Sequence, residues 1–319
     1  MSMLTRLARA GLWALLGALI LPGSAWATEP TAVLTELRVG AADVGIRRSG
    51  ESTWIPAQPL LALRPGDQLR ATGNAQAVIL FAGGSVQTVS AANSPFVVQA
   101  PRGRTGTENT QAFLGGVIQF LMGQQREPRY EQLAVRGPTL TPRIVSPRDT
   151  RLLPGPVTLE WTGSASLRYQ VKVVGPQGVV WDQDNLPRQP VQYPASAPPL
   201  KPGARYTWLL TAPGQPDQQA QFEVVPTAEA SRIQTALASV RSESPTAYPP
   251  STVSVIRVGL LLHEKLYADA RRELLARIAA EPASPTFREL LGVVYDRTGL
   301  EELAVVEFEE ASMLSRPKP

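Results

Sequence analysis

Alternating hydrophobic and polar positions characterise the chain between residue 33 and about residue 100. Val44 and Ile46 alternate with polar neighbours, and the apolar run at 78–81 is separated from a second run at 86–89 by Ala82-Gly83-Gly84-Ser85. A period of two predicts half-buried β-strands. A Gly-Gly pair between β-branched runs predicts a tight hairpin. This segment is therefore predicted to form a β domain.

A second alternating segment covers residues 138–226 and predicts a small β-sandwich. The runs at 157–161 and 169–174 alternate, and Gly175-Pro176-Gln177-Gly178 joins the latter to Val179-Val180-Trp181 as a predicted hairpin. The segment also carries a ladder of five aromatic residues: Trp161, Tyr169, Trp181, Tyr206 and Trp208. Two interpretations of the ladder remain open, a sugar-stacking surface and the core of the sandwich.

The last third of the chain changes to helical spacing. Helices are predicted at 228–241, 252–264, 267–280, 285–297 and 300–314, with Thr227 capping the first and Ser251 or Thr252 the second. Within this segment Ala270 and Ala304 repeat at an offset of 34 residues, as do Leu274 and Phe308. That period predicts stacked helix-turn-helix units with a concave face that can hold another polypeptide. Two units are few, so either the helix at 228–241 docks as a half-repeat or a partner completes the array.

A shorter helix is predicted at 112–122, where Phe113, Val117, Phe120 and Leu121 fall at helical spacing. One interpretation is a helix that contacts a membrane or a partner. The other is a helix packed on one face of the β domain.

The N-terminus predicts export. Arg6 and Arg9 precede an apolar run at 11–21, which is followed by Ala25-Trp26-Ala27, a small-x-small cleavage pattern. Residues 1–27 are therefore predicted to be a cleaved signal peptide, leaving no integral membrane span. An uncleaved anchor is the alternative, but the run is shorter than the roughly 20 apolar residues that cross a bilayer. The periplasm is the expected compartment.

Composition argues against several classes of function. The 31 basic and 27 acidic residues are spread over all segments, so no nucleic-acid partner is expected. The absence of cysteine excludes thiolate metal ligands and cysteine nucleophiles. His263 is the only histidine, and the acidic pairs Glu301-Glu302 and Glu309-Glu310 are expected to be solvated. We therefore expect no catalytic, metal-binding or cofactor-binding residues.

Residues 37–99 resemble the FecR-type β domain through the segment LRPGDQLRATGNAQAVILFAGGSVQTV, which contains a Gly66-Asp67 turn, a Thr72-Gly73 step and a final Gly84-Ser85 hairpin. The segment departs from the family pattern at Ala82-Gly83, where an acidic residue commonly precedes the glycine. That family is named for a membrane regulator that senses a loaded transporter and controls a sigma factor. Because only a signal peptide is expected before the domain, the resemblance implies the β module rather than the signalling role.

The segment from Leu200 to Tyr206 resembles the tyrosine corner of fibronectin type III and related immunoglobulin-like domains. The resemblance implies that the Tyr206 phenol bonds back to the upstream backbone.

The helical tail resembles tetratricopeptide repeats, with Gly292, Tyr295, Gly299, Ala304 and Phe308 on the small and aromatic positions of the motif. Arg277 stands where a small residue is usual. The resemblance implies a partner-binding groove that is apolar above and acidic along its lower edge. Its residues would be Val253, Ile256, Leu260, His263, Glu264, Thr286, Glu289, Val293, Asp296 and Arg297.

Together these observations predict a multidomain β + α protein. A FecR-like β domain with an appended helix (33–136) would be followed by an immunoglobulin/fibronectin-like β-sandwich (138–226) and a short tetratricopeptide-like α-solenoid (227–316). The predicted function is that of a non-enzymatic periplasmic scaffold or adaptor that binds an envelope protein or peptide through the helical groove. The alternatives are a glycan- or peptidoglycan-binding envelope protein and a FecR-like signalling relay.

Overall fold

The computed structural model describes residues 29–38, 43–99, 108–123, 141–242 and 248–316. The predicted signal peptide at 1–27 lies outside the described residues. Within these ranges the chain forms mainly antiparallel sheets and six α-helices, five of which follow the last strand, and this confirms a mixed β + α architecture. No helix in this part of the chain is long and apolar enough to cross a membrane.

The first β region consists of two four-stranded antiparallel sheets, ordered β4-β1-β6-β7 and β3-β2-β5-β8. Its strands are β1 (Ala32–Arg38), β2 (Val44–Arg47), β3 (Ile55–Pro56), β4 (Ala62–Leu63), β5 (Gln68–Ala71), β6 (Gln76–Phe81), β7 (Val86–Val89) and β8 (Phe96–Val97). The two sheets share a core that includes Leu34, Ile46, Leu69 and Ile79. The predicted hairpin is confirmed, because β6 pairs with β7 and Gly84 adopts the positive φ of 85° that its turn requires.

The second β region consists of two sheets. One has five strands in the order β10-β16-β15-β12-β13, and the other has three strands in the order β14-β11-β9. Its strands are β9 (Arg143–Ser146), β10 (Thr150–Leu152), β11 (Thr158–Thr162), β12 (Tyr169–Gly175), β13 (Gly178–Leu186), β14 (Val191–Gln192), β15 (Arg205–Thr211) and β16 (Gln218–Val224). The Lys201 amide donates a hydrogen bond of 2.7 Å to the Tyr206 phenol oxygen. The backbone bond that the sequence predicted for Tyr206 is therefore present.

The aromatic ladder of this region lies largely inside the core. Trp208 is fully buried, Tyr169 is 1% exposed, and Trp161 and Tyr206 are also buried. Trp161 contacts both Tyr169 and Trp208 through tilted or edge-on rings. Only Trp181 is half-buried, and it packs edge-on against Tyr193. Of the two interpretations left open by the sequence, the burial favours core packing for four of the five rings.

Six helices complete the described part of the chain: α1 (Glu108–Met122), α2 (Thr227–Ser242), α3 (Pro250–His263), α4 (Tyr267–Ala280), α5 (Pro285–Arg297) and α6 (Glu301–Leu314). The bounds of α4 and α5 match the prediction. The capping prediction for α3 is wrong, because α3 begins at Pro250 and the residues expected as caps, Ser251 and Thr252, are buried within its first turn. Proline is favourable there because the first helical turn leaves its N–H groups without intrahelical acceptors.

Glycine allows α5 and α6 to approach each other closely. A Cβ atom at Gly292 would lie 2.6 Å from Cε1 of Phe308, which is closer than packed carbon atoms tolerate. The Arg277 side chain extends over the Phe287 ring, with its guanidinium carbon 5.4 Å from the ring centroid.

Polar contacts join the helices to both β regions. The Arg151 amide donates to the Lys265 carbonyl at 2.9 Å, and Arg271 forms an ion pair with Glu160 at 2.8 Å. The hydroxyl oxygens of Thr35 on β1 and Thr252 on α3 lie 3.2 Å apart, within hydrogen-bonding distance. One hydrophobic cluster extends from the first β region through α1 into the C-terminal helices. The helical region is therefore packed against the rest of the chain.

Candidate functional site

The part of the predicted groove that lies on the first helical unit, along α3, is filled by the chain itself. Ile256 and Leu260 on α3 have no exposed surface. Helix α1 packs along α3 at Gly259, where a Cβ atom would lie 2.8 Å from Val117 Cγ1 and 3.1 Å from Leu121. These two predicted groove residues are therefore enclosed within the described part of the chain. Helix α1 therefore packs on the helical region, and it also contacts β1.

Strand β1 covers more of the same face. Its pairing with β6 shifts register between Leu34 and Glu36, and the intervening Thr35 contacts Thr252 of α3. Glu36 is also buried, and burial raises the pKa of its carboxyl group although Arg38 pairs with it. Val253 is only half-buried, whereas Thr286 on α5 is 1% exposed.

His263 and Glu264 lie at the end of α3 and take part in contacts within the chain. The His263 ring is exposed and meets Phe120 of α1 edge-on, with 5.7 Å between ring centroids. The Glu264 carboxylate accepts a hydrogen bond of 2.9 Å from Arg232 on α2 and lies 3.8 Å from Arg151. These two predicted groove residues therefore connect α3 to its neighbours. Among the described residues, no group of three histidine, aspartate or glutamate side chains could hold a metal ion.

The part of the predicted groove that lies on the second helical unit remains open. It forms a cleft between α5, α6 and the segment that includes β3. We call it the α5–α6 cleft, and its volume is about 470 Å³. It contains Glu289, Val293 and Asp296 from the predicted set, whereas Arg297 is exposed and does not line it. The described residues that line it are Ile55, Pro56, Ala57, Gln58, Pro59, Glu289, Val293, Asp296, Phe308, Glu309, Ser312, Ser315 and Arg316.

The walls of the cleft differ in chemistry. Val293 and Phe308 belong to the apolar surface of α5 and α6, and each is less than a tenth exposed. The opposite wall is an edge strand, because β3 pairs with β2 on one side only. Its Ile55 residue is 46% exposed and lines the cleft. The cleft therefore offers apolar surface on two facing sides.

Carboxylates outnumber basic groups around this apolar surface. Of the residues that the structure describes, Glu289, Asp296 and Glu309 line the cleft together with one basic residue, Arg316. Burial raises the pKa of Glu289 to about 7 from an ordinary value of 4.5. Within the described part of the chain, no hydrogen bond or ion pair to the Glu289 carboxylate offsets this desolvation. A partly buried carboxylate in a concave site is a recognised mark of a functional residue.

Replacing Glu289 by glutamine is expected to stabilise the protein at neutral and alkaline pH. The folded-state pKa of Glu289 exceeds its unfolded-state value, so ionisation costs stability as the pH rises from about 4.5 to about 7. Relative to the variant, the wild-type free energy of unfolding should fall through that interval by about 1–3 kcal/mol and stay lower above it. Urea unfolding of both proteins across this pH range measures the difference.

The matched control for this prediction is Glu310→Gln, which changes a neighbouring carboxylate on α6 that does not line the cleft. This variant keeps Glu289 and should retain the wild-type pH dependence. If the free energies of unfolding of wild type and Glu289→Gln change with pH in parallel, Glu289 is ordinarily solvated and the prediction is wrong.

A second cavity of about 180 Å³ lies between the second β region and α4. Its lining contains two ion pairs, Arg271 with Glu160 and Arg272 with Asp269. The α5–α6 cleft is larger and contains the carboxylate for which the described residues supply no partner, so it is the stronger candidate site.

Sequence reasoning found one side of this cleft and missed the other. The α5 residues fall on motif positions of a repeat, whereas the wall at 55–59 contains a strand of only two residues and shows no hydrophobic period. The repeat motif places an aromatic residue at Phe308, and this residue both packs against Gly292 and lines the cleft.

No protein-family model matches the sequence, and no curated protein is significantly similar to it.

Proposed function

We propose that this chain is a non-enzymatic scaffold or adaptor of the periplasm that binds a segment of a partner protein in the α5–α6 cleft. The observation that carries the proposal is the open cleft itself, an apolar and acidic cavity of about 470 Å³ where the first β region meets the last helical pair. Concave sites lined by apolar groups with a few converging polar groups are the usual form of a binding site. An envelope protein or peptide is the proposed partner.

The architecture proposed with this function follows the three sequence resemblances. The first β region would be a FecR-like module, and the hairpin at Gly84 supports that assignment. The hydrogen bond at the Tyr206 phenol and the buried Trp208 support an immunoglobulin-like or fibronectin-like second module. The close approach of α5 and α6 at Gly292 supports a tetratricopeptide-like helical module.

The glycan-binding alternative has weaker support. Stacking on a sugar requires an aromatic face that solvent can reach, and four of the five ladder aromatics are buried. The relay alternative depends on an anchor within residues 1–28, and a mature N-terminus at Thr28 would remove it. Neither alternative explains the α5–α6 cleft.

The proposal is tested by site-specific photocrosslinking in cells. A photoreactive phenylalanine is placed at Ile55 or Glu309, on the two sides of the cleft, and at Val179, an exposed position on β13, as a control. We expect one protein, identified by mass spectrometry, to crosslink at both cleft positions and not at the control.

A variant that blocks the cleft with a large side chain makes this test specific for the cleft. Ser312→Trp adds a large side chain at an exposed position in the cleft, and Glu301→Trp adds the same side chain at an exposed position on α6 outside it. The crosslinked partner should disappear with Ser312→Trp and persist with Glu301→Trp. Crosslinks that survive Ser312→Trp, or none at either cleft position, would contradict the proposed function.

A further inference from the structure

We infer that the partner segment bound in the α5–α6 cleft carries a lysine or arginine flanked by apolar residues, and that Glu289 is the counter-ion of that basic side chain. This inference rests on the proposed function, since it specifies the chemistry of the segment that the cleft accepts. It follows from the shape of the cleft, its charge and the environment of one carboxylate.

The apolar walls determine the flanking residues. Val293 and Phe308 on the helical side face a segment that contains the exposed Ile55. Filling this space with aliphatic or aromatic side chains removes apolar surface from water on both partners, at about 25 cal/mol per Å². A strongly hydrophilic segment would desolvate its own polar groups against these walls, so a purely polar basic peptide is disfavoured.

The charge of the cleft determines whether the bound segment should carry a positive or a negative side chain. Among the residues that the structure describes, three carboxylates, Glu289, Asp296 and Glu309, line the cleft together with the guanidinium of Arg316. The segment at 55–59 contributes no titratable side chain. Electrostatic complementarity therefore favours a cationic occupant and penalises an acidic one.

Glu289 differs from the other carboxylates in its environment. It lines the cleft on α5 one helical turn before the apolar Val293, and burial is the cause of its raised pKa. A desolvated carboxylate without a partner carries an energetic cost that an incoming ammonium or guanidinium group would relieve. Because the basic group pairs with the ionised form, binding should strengthen as the pH rises through the pKa of Glu289. Asp296 from α5, and Glu309 and Arg316 from the α6 side, are the other charged groups that line the cleft.

The experiment selects ligands for the whole mature chain from a phage-displayed random peptide library. Peptides that fail to bind Ser312→Trp are kept, because their binding depends on the cleft. Each is then synthesised in two forms, one as selected and one with its basic residue replaced by glutamine. Both forms are titrated against wild type, Glu289→Gln and the matched control Glu310→Gln.

We expect the selected peptides to carry a basic residue beside apolar ones. Replacing that residue should weaken binding to wild type and to Glu310→Gln by about tenfold or more, but binding to Glu289→Gln by about twofold or less. Binding of the basic peptide to wild type should be tighter above the pKa of Glu289 than below it, and this pH dependence should vanish in Glu289→Gln.

The possible failures are distinguishable. Cleft-dependent peptides without a basic residue, or equal losses in wild type and Glu289→Gln, would overturn the inference and leave the proposed function standing. If no selected peptide depends on Ser312, both the inference and the proposed function are overturned.

Discussion

Replacing Leu121 by aspartate is expected to detach α1 from α3 and to open the part of the helical face along α3 to solvent. Leu121 is fully buried and contacts the surface of α3 at Gly259. An aspartate there loses the apolar contact and buries a charge without a partner, which together cost about 3–5 kcal/mol. That cost is large compared with the few kcal/mol that hold one peripheral helix in place.

Hydrogen–deuterium exchange measures this prediction. Backbone amides of α1 and of residues 256–263 should exchange faster in Leu121→Asp, while those of β12 and β15 keep their protection. Gln119→Asp is the matched control, because it introduces the same charge on the exposed face of the same helix. Unchanged exchange in Leu121→Asp would show that α1 does not cover α3 in solution.

Replacing Trp208 by alanine is expected to destabilise the second β region by about 3–5 kcal/mol. Trp208 is fully buried and contacts Trp161, so its removal leaves a large cavity. Its indole N–H also donates a hydrogen bond of 2.8 Å to the Pro147 carbonyl, which would lose this partner. A loss of this size is a large part of the stability of a typical domain.

Thermal and urea unfolding, followed by tryptophan fluorescence and circular dichroism, measure the effect. Trp181→Ala is the control, since Trp181 is only half-buried on β13 and packs against Tyr193 near the surface. Its loss should cost about 1 kcal/mol or less. Equal losses for the two variants would contradict the placement of Trp208 in the core.

Local sequence patterns predicted the secondary structure well because they act over a few residues. The bounds of α4 and α5 follow from helical spacing, with Ala270 and Leu274 among the buried positions. The turn at Pro65-Gly66 likewise follows from local chemistry, since Gly66 has a φ of 90° and the Asp67 amide bonds to the Arg64 carbonyl.

The arrangement of these elements was harder to predict because it depends on contacts between distant parts of the chain. Thr35 and Thr252 meet across 217 residues, and no period in either segment encodes that pairing. The helical spacing of α1 indicated an apolar face without indicating its partner. Motif positions found Glu289 and Val293 in the candidate site, but they could not show that Ile256 is covered.

The hydrogen bond from the Arg151 amide to the Lys265 carbonyl limits which truncated fragments of this protein can be studied in isolation. Cutting the chain after Pro226 would leave that amide without an acceptor and would uncover Val33 and Leu80, which belong to the same cluster as the helices. Truncated forms should therefore aggregate whether or not the deleted part binds anything. Roles must be assigned to individual regions by single substitutions in the intact chain.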